Sequence, residues 1–160
     1  MDKLRVGVVG LQRGSVHCAN SVASENTELV AVCDIDKAKA DRFAGKYGVR
    51  AYYDHRELCA ADDIDAVIMA TPIDVHPETV VDALNAGKHV MSEVIVATTL
   101  DDIRHIGDAI KKSGKVYMMA ENYCSIRPLL IVEEMIKRGM FGEIYYAESD
   151  YLKDFQEYHP

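Results

Sequence analysis

No tryptophan occurs in the 160 residues, and cysteine is sparse: Cys18, Cys33, Cys59 and Cys124 lie far apart and form no C-x-x-C pair. That spacing favours free, mostly buried thiols in a reducing compartment, the cytoplasm. The six histidines are equally dispersed, which argues against a structural metal site. Positive charge is in deficit, with 18 Lys and Arg against 26 Asp and Glu and a formal net charge of -8. The basic clusters that nucleic acid or an anionic membrane surface would require are missing. No apolar run approaches the roughly 20 residues that span a bilayer. Met1-Asp2-Lys3-Leu4-Arg5 leads into a run of strand length without a small-residue cleavage site, so no targeting segment is expected. There is no internal repeat and no low-complexity stretch.

What remains is the composition of an ordinary globular protein, 49% hydrophobic and 28% charged. The length suits one full domain plus a fragment of another. Apolar, β-branched runs of strand length alternate with stretches of helical period. Strands are expected at Leu4 to Val9, Glu28 to Cys33, Ala51 to Tyr53, Ala66 to Ala70, Lys88 to Met91 and Val116 to Met119. Between them, a helix at Ser15 to Ala23 presents Val16, Ala19, Val22 and Ala23 on one face. Another runs from Lys37 to Tyr47 and stops at Gly48, and a helical turn spans Asp54 to Cys59. Pro77 opens a helix that Gly87 follows. Thr98 or Thr99 can cap a further helix with a Leu100, Ile103, Ile106, Ile110 stripe.

Continuous apolar strands separated by helices imply a parallel sheet covered on both faces, and right-handed crossovers make it an α/β, doubly wound, dinucleotide-type fold. A flavodoxin-like sheet fits this pattern nearly as well. The alternation changes after Met119. Ser125 can cap a helix to Arg138 with Leu129, Val132, Met135 and Ile136 inward, and Glu143 to Tyr151 reads as a strand. A lone strand makes no sheet, so residues 1–121 are expected to form the nucleotide domain. Residues 122–160 would then hold a linker, a helix and the first strand of an incomplete α+β domain.

The first candidate site is the turn Val9-Gly10-Leu11-Gln12-Arg13-Gly14-Ser15 between the first strand and first helix. A helix N-terminus offers free N–H groups and partial positive charge to a diphosphate, and glycine lets the backbone approach it. The match to G-x-G-x-x-G is imperfect: Gly10 fits, Gln12 and Ser15 stand where the later glycines belong, and Gly14 is displaced by one. Asp34 lies 24 positions after Gly10, at the end of the second strand. A carboxylate there accepts hydrogen bonds from ribose hydroxyls and repels a 2′-phosphate, favouring NAD over NADP. Asp36 is the alternative, and either aspartate can instead cap the next helix. Lys88 and His89 read as a solvated corner that positions the fifth strand.

Two further stretches carry a resemblance. Met69-Ala70-Thr71-Pro72-Ile73-Asp74-Val75-His76 and Ala86-Gly87-Lys88-His89-Val90-Met91-Ser92-Glu93, with the opening turn, closely resemble the glucose–fructose oxidoreductase/inositol dehydrogenase (Gfo/Idh/MocA) family. Its pattern runs A-T-P-x-x-x-H, then A-G-K-H-V-x-x-E-K-P, and the likeness covers residues 3 to about 152. The resemblance implies an NAD(P)-binding Rossmann fold with NAD as cofactor. It also implies that the backbone of Thr71 and Pro72 meets the cofactor, with His76 near the same crevice and Glu93 and Asn122 near the nicotinamide. Alternatively, His76 only caps the helix at Pro77 and Glu93 only satisfies a buried backbone group.

Two departures from the pattern bear on mechanism. E-K-P reads Glu93-Val94-Ile95, so the lysine that would stabilise a developing alkoxide is replaced by valine. Loss of one such contact raises a barrier by about 3–4 kcal/mol. The family's Asp and His, close together on a helix of the second domain, fall beyond the point corresponding to Pro160, so this stretch is expected to bind NAD without turning over alone. The resemblance implies, for the complete protein, hydride transfer between NAD and a hydroxyl of a sugar, inositol or related polyol. The alternatives are a non-catalytic nucleotide-binding module and an NAD-dependent lyase or hydrolase using transient oxidation. The last strand would offer an edge for pairing into a homo-oligomer.

Overall fold

The computed structural model describes residues 3–150 and 152, and the chain divides into two compact units, 1–121 and 122–160. In the first, six strands are joined by five helices: β1 (Leu4–Val9), α1 (Gly14–Ala23), β2 (Thr27–Cys33), α2 (Lys37–Tyr47), β3 (Arg50–Tyr52), α3 (His55–Ala60), β4 (Ala66–Met69), α4 (His76–Asn85), β5 (His89–Ser92), α5 (Leu100–Ser113) and β6 (Tyr117–Met119). All neighbouring strands pair in parallel, in the order β3-β2-β1-β4-β5-β6. That order reverses direction between β1 and β4, as in dinucleotide-binding sheets, and excludes the flavodoxin-like order.

Strand alternation divides the core between the two faces. Val6, Val8, Val32 and Ile68 pack with Cys18 of α1 and Ala40 and Ala44 of α2. Val9, Ala31, Cys33, Val67 and Met69 face the other way, onto Leu58 of α3, Val80, Ala83 and Leu84 of α4, and Ile106 and Ala109 of α5. Three cysteines, Cys18, Cys33 and Cys59, are buried, and burial pushes the latter two thiols up to about 12.

Caps explain most boundaries. Asp36 accepts the Lys39 N–H at 3.2 Å to start α2, and Thr99 accepts the Asp102 N–H at 3.1 Å to start α5. Helix α1 departs from its expected face: Gly14, Cys18 and Ser21 are buried, while Val16, Ala19, Val22 and Ala23 are exposed. Small residues win because this helix lies close on the sheet. A Cβ on Gly14 would fall 2.8 Å from the Val8 Cγ1.

The second unit carries a short 3-10 turn (Tyr123–Ser125) and α6 (Arg127–Lys137). Ser125 lies in that turn rather than capping α6, whose N-cap position is Ile126. Residues 144–150 form no strand, because a strand is defined by a hydrogen-bonded neighbour and none pairs with them among the described residues; Tyr151 lies outside those. No described helix is long and apolar enough to cross a membrane.

Candidate functional site

The parallel strands bring the carboxyl ends of β1, β2, β4 and β5 to one rim of the sheet. At its centre is Gly10, with φ +85°, which follows β1 and donates its N–H to the Cys33 carbonyl of β2 at 2.8 Å. A Cβ there would lie 2.5 Å from the Ala70 carbonyl oxygen, so the turn nests against the end of β4 in a way open to glycine alone. Gly14, though one position out of the motif, allows the close helix–strand contact expected of its last glycine. Beyond the turn, the N–H groups of Gln12 and Arg13 have no hydrogen-bond partner among the described residues. They sit at the start of α1, where such groups attract anions.

Asp34 turns its carboxylate back onto this loop. Its Oδ2 accepts the Leu11 N–H at 2.9 Å and its Oδ1 accepts the Asp36 N–H at 3.0 Å. The Lys39 ammonium lies 3.3 Å from Oδ2. Burial pushes the Asp34 carboxyl up, but these donors outweigh burial and hold it below the ordinary carboxylate value. The alternatives at this position separate: Asp34 serves the rim and Asp36 caps α2. Ile35, next in sequence, is 92% exposed. A bare aliphatic side chain beside a buried carboxylate is a surface on which a flat aromatic base can rest.

After β4, Thr71 is half-buried, with its hydroxyl 3.4 Å from that of Thr79, and Pro72 is exposed. His76 is buried at the start of α4. Its Nδ1 lies 3.1 Å from the Ile95 carbonyl oxygen and therefore donates to it. Among the described residues, Nε2 is a buried ring nitrogen with no hydrogen-bond partner. The ring thus ties α4 to the segment after β5 rather than capping its own helix.

Glu93 follows β5. Its Oε1 lies 2.8 Å from the His17 Nε2 of α1, and its Oε2 accepts the Val94 N–H at 3.3 Å. Glu93 therefore answers a side chain from another element. Val94 and Ile95 are exposed beside it. Asn122 belongs to the second unit, where its carbonyl accepts the Ser125 N–H at 3.1 Å.

Lys88 is not a solvated corner. Buried at the opposite, amino end of β5, it donates to the carbonyls of Ala61 and Ile64 at 2.7 and 2.8 Å, and His89 Nδ1 accepts the Val116 N–H at 3.0 Å. His17, Ile35 and Lys39 are rim residues without a sequence motif. Helical spacing places His17 one turn beyond Gly14, but its partner is 76 residues away. Among the described residues, no group of three His, Cys, Asp or Glu side chains is arranged to hold a metal ion. The rim thus offers unpartnered N–H donors, a carboxylate and an exposed apolar residue in sequence order, a set that fits the diphosphate, ribose and base of a dinucleotide.

Comparison with known proteins agrees with this reading. The chain is 34% identical over 98% of its length to "Glycosyl hydrolase family 109 protein 2" of Shewanella sp. (strain ANA-3), covering 37% of that protein. It is also 34% identical over 98% of its length to an alpha-N-acetylgalactosaminidase of Shewanella oneidensis, covering 36% of it. The chain therefore spans little more than a third of these relatives. Its fold superposes with a TM-score of 0.82 on the WlbA dehydrogenase from Bordetella pertussis in complex with NADH and UDP-GlcNAcA, at 29% identity, covering 90% of this chain and 45% of that one. Residues 4–121 match the model of the oxidoreductase family with an NAD-binding Rossmann fold, and to that family, Gfo/Idh/MocA, the chain belongs.

Proposed function

We propose that this chain holds NAD for a larger enzyme that moves hydride between NAD and a hydroxyl of a sugar or related polyol. The observation that carries the reading is the Asp34 carboxylate turned onto the Gly10 turn, 2.9 Å from the Leu11 N–H, at the carboxyl rim where the strand order reverses. In this reading Gly10, Gln12, Arg13 and Gly14 form the diphosphate seat and Asp34 takes the ribose hydroxyls. Thr71, Pro72 and His76 border the middle of the crevice, while Glu93 attends the nicotinamide. Bound NAD would supply the hydride acceptor; the protein's part is to seat it, orient it and exclude water.

The reaction of the complete protein divides into two readings. Val94 stands where the family pattern has lysine, which removes a charge suited to holding alkoxide during simple alcohol oxidation. The Shewanella relatives bear glycoside hydrolase names. Both favour a glycosidase in which NAD would take hydride from a sugar hydroxyl, the aglycone would leave as its alcohol with loss of the proton beside the new ketone, water would add in its place, and the hydride would return, so that water is consumed and NAD is not.

The test uses the full-length protein with NAD and either free polyols or nitrophenyl glycosides, including an α-N-acetylgalactosaminide. A dehydrogenase accumulates NADH in step with substrate. A transient-oxidation glycosidase releases nitrophenol over many turnovers while NADH stays flat. Failure of the 160-residue chain to bind NADH at millimolar concentration, by calorimetry and by the fluorescence of NADH itself, overturns the cofactor seat; with no tryptophan in the chain that emission is read directly.

A further inference from the structure

Two imidazoles from different helices converge on the segment that follows β5. The Glu93 N–H donates to the Met69 carbonyl at 2.8 Å, a backbone link from this segment to the end of β4. Beyond it, no backbone–backbone hydrogen bond holds residues 94–98 among the described residues. Side chains hold the segment instead. His17 of α1 places Nε2 2.8 Å from Glu93 Oε1, and His76 of α4 places Nδ1 3.1 Å from the Ile95 carbonyl oxygen.

Both ties are shielded from water. His17 and Glu93 are largely buried side chains, and His76 is 1% exposed. A hydrogen bond is electrostatically stronger in such surroundings than in water. Ile95 offers only a carbonyl oxygen, so His76 Nδ1 carries the proton, and an ionised Glu93 likewise draws the proton of a neutral His17 onto Nε2. His76 Nε2 has no hydrogen-bond partner, so among the described residues the tie to Ile95 is the one hydrogen bond this ring makes. Between the two held residues lies only Val94, whose N–H donates to Glu93 Oε2 at 3.3 Å. The carboxylate thus has one oxygen held by α1 and the other by its own backbone, while α4 holds that backbone two residues on.

We propose that His17 and His76 are positioning residues that clamp the exit of β5 from two helices and so set the Glu93 carboxylate against the nicotinamide ring. The inference rests on the dinucleotide seat proposed above and adds what aims its nicotinamide end. It also fixes which ring nitrogen matters at each position. Glutamine carries an N–H donor as many bonds from Cβ as His Nε2, and asparagine carries one as many bonds from Cβ as His Nδ1. The two histidines are therefore replaceable by opposite amides, His17 by glutamine and His76 by asparagine.

The experiment titrates the full chain by calorimetry with NADH and with ADP-ribose, which keeps the adenosine, the diphosphate and the second ribose but lacks the nicotinamide. H17N and H76Q should each raise the ratio of NADH to ADP-ribose dissociation constants by about fivefold or more, the worth of one net hydrogen bond. H17Q and H76N should keep the native ratio. A merely structural role weakens both ligands together as the fold loosens and leaves the ratio where it was. An unmoved ratio in either H17N or H76Q overturns the proposal, and so does a ratio raised as far in H17Q and H76N as in their counterparts. If H76Q does not fold, the contrast of H17N with H17Q decides by the same two criteria. Failure of the native chain to bind either ligand overturns the dinucleotide seat itself, whereas binding of both with an unmoved ratio leaves the seat standing and removes the clamp.

Discussion

His17 Nε2 and Glu93 Oε1 lie 2.8 Å apart, joining the first turns of α1 to the end of β5 across 76 residues of sequence. The two side chains are 14% and 19% exposed, so the contact is largely shielded from water. It links the helix that would seat the diphosphate to the carboxylate expected at the nicotinamide. Replacing His17 with Phe keeps a flat ring but removes the hydrogen bond. H17F should lose about 1–3 kcal/mol of stability, the cost of stranding a part-buried carboxylate, and should weaken NADH binding as Glu93 loses its orientation. Urea denaturation and NADH titration check this; H17F with native values of both would show that the pair is idle.

Gly10 tests the turn. Alanine there meets a φ of +85° and a backbone oxygen 2.5 Å from its Cβ, and neither can yield without moving β4. G10A should cost at least about 2 kcal/mol in strain alone and abolish detectable NADH binding, because the displaced loop carries the Leu11 N–H that Asp34 receives. At Gly14 the obstruction is the Val8 Cγ1, the end of a side chain, at 2.8 Å. G14A should therefore be milder. In the G14A/V8A pair the losses should fall short of their sum, which a double-mutant cycle by urea denaturation measures.

Acid lability should follow the carboxylates. Arg5 grips Asp65 through both carboxylate oxygens, at 2.9 and 2.6 Å, and its side-chain hydrogen bonds hold the Asp65 carboxyl down at about 2 against an ordinary 3.8. A carboxyl lowered by folding stabilises the native state above its unfolded value and loses that contribution as pH falls through its folded value. Native stability should decline between about pH 4 and pH 2. D65N should be less stable than the native chain at neutral pH, and the gap should close toward pH 2. Urea midpoints measured across that range check it, and a gap constant with pH would contradict it.

Much of this architecture is legible in the sequence because it rests on local rules. Parallel strands buried on both faces read as uninterrupted apolar runs such as Ala66 to Met69, and Asp36, Thr99 and Gly48 punctuate helices by capping chemistry that acts over three or four residues. The choice between Asp34 and Asp36 was open because both sit near the end of β2; only the fold shows which one meets the turn at Gly10. Helix α1 departs from its hydrophobic pattern for a related reason. Its valines outweigh its small residues on any hydrophobic scale, yet Gly14, Cys18 and Ser21 face inward because the helix lies too near β1 to admit anything larger. His17 and Lys88 escaped because their partners, Glu93 and the carbonyls of Ala61 and Ile64, are distant in sequence, and no periodicity encodes a contact between separate elements.

Lys88 illustrates how a motif residue can be structural. It stands within the Gly87-Lys88-His89-Val90 stretch that carries the family likeness, but its ammonium is directed away from the cofactor rim, onto the Ala61 and Ile64 carbonyls at 2.7 and 2.8 Å. These carbonyls belong to the segment that leads from α3 into β4, so the lysine pins that segment to the amino end of β5. Methionine can follow the same buried path but donates nothing. K88M should therefore lose about 2–3 kcal/mol, set by two hydrogen bonds from a charged donor less the desolvation relieved when the charge is removed. NADH affinity, measured at a temperature where the variant is still folded, should match the native chain because the opposite rim is untouched. Full native stability in K88M would show that water replaces the ammonium without cost. Loss of NADH binding at native stability would place Lys88 in the cofactor's service after all.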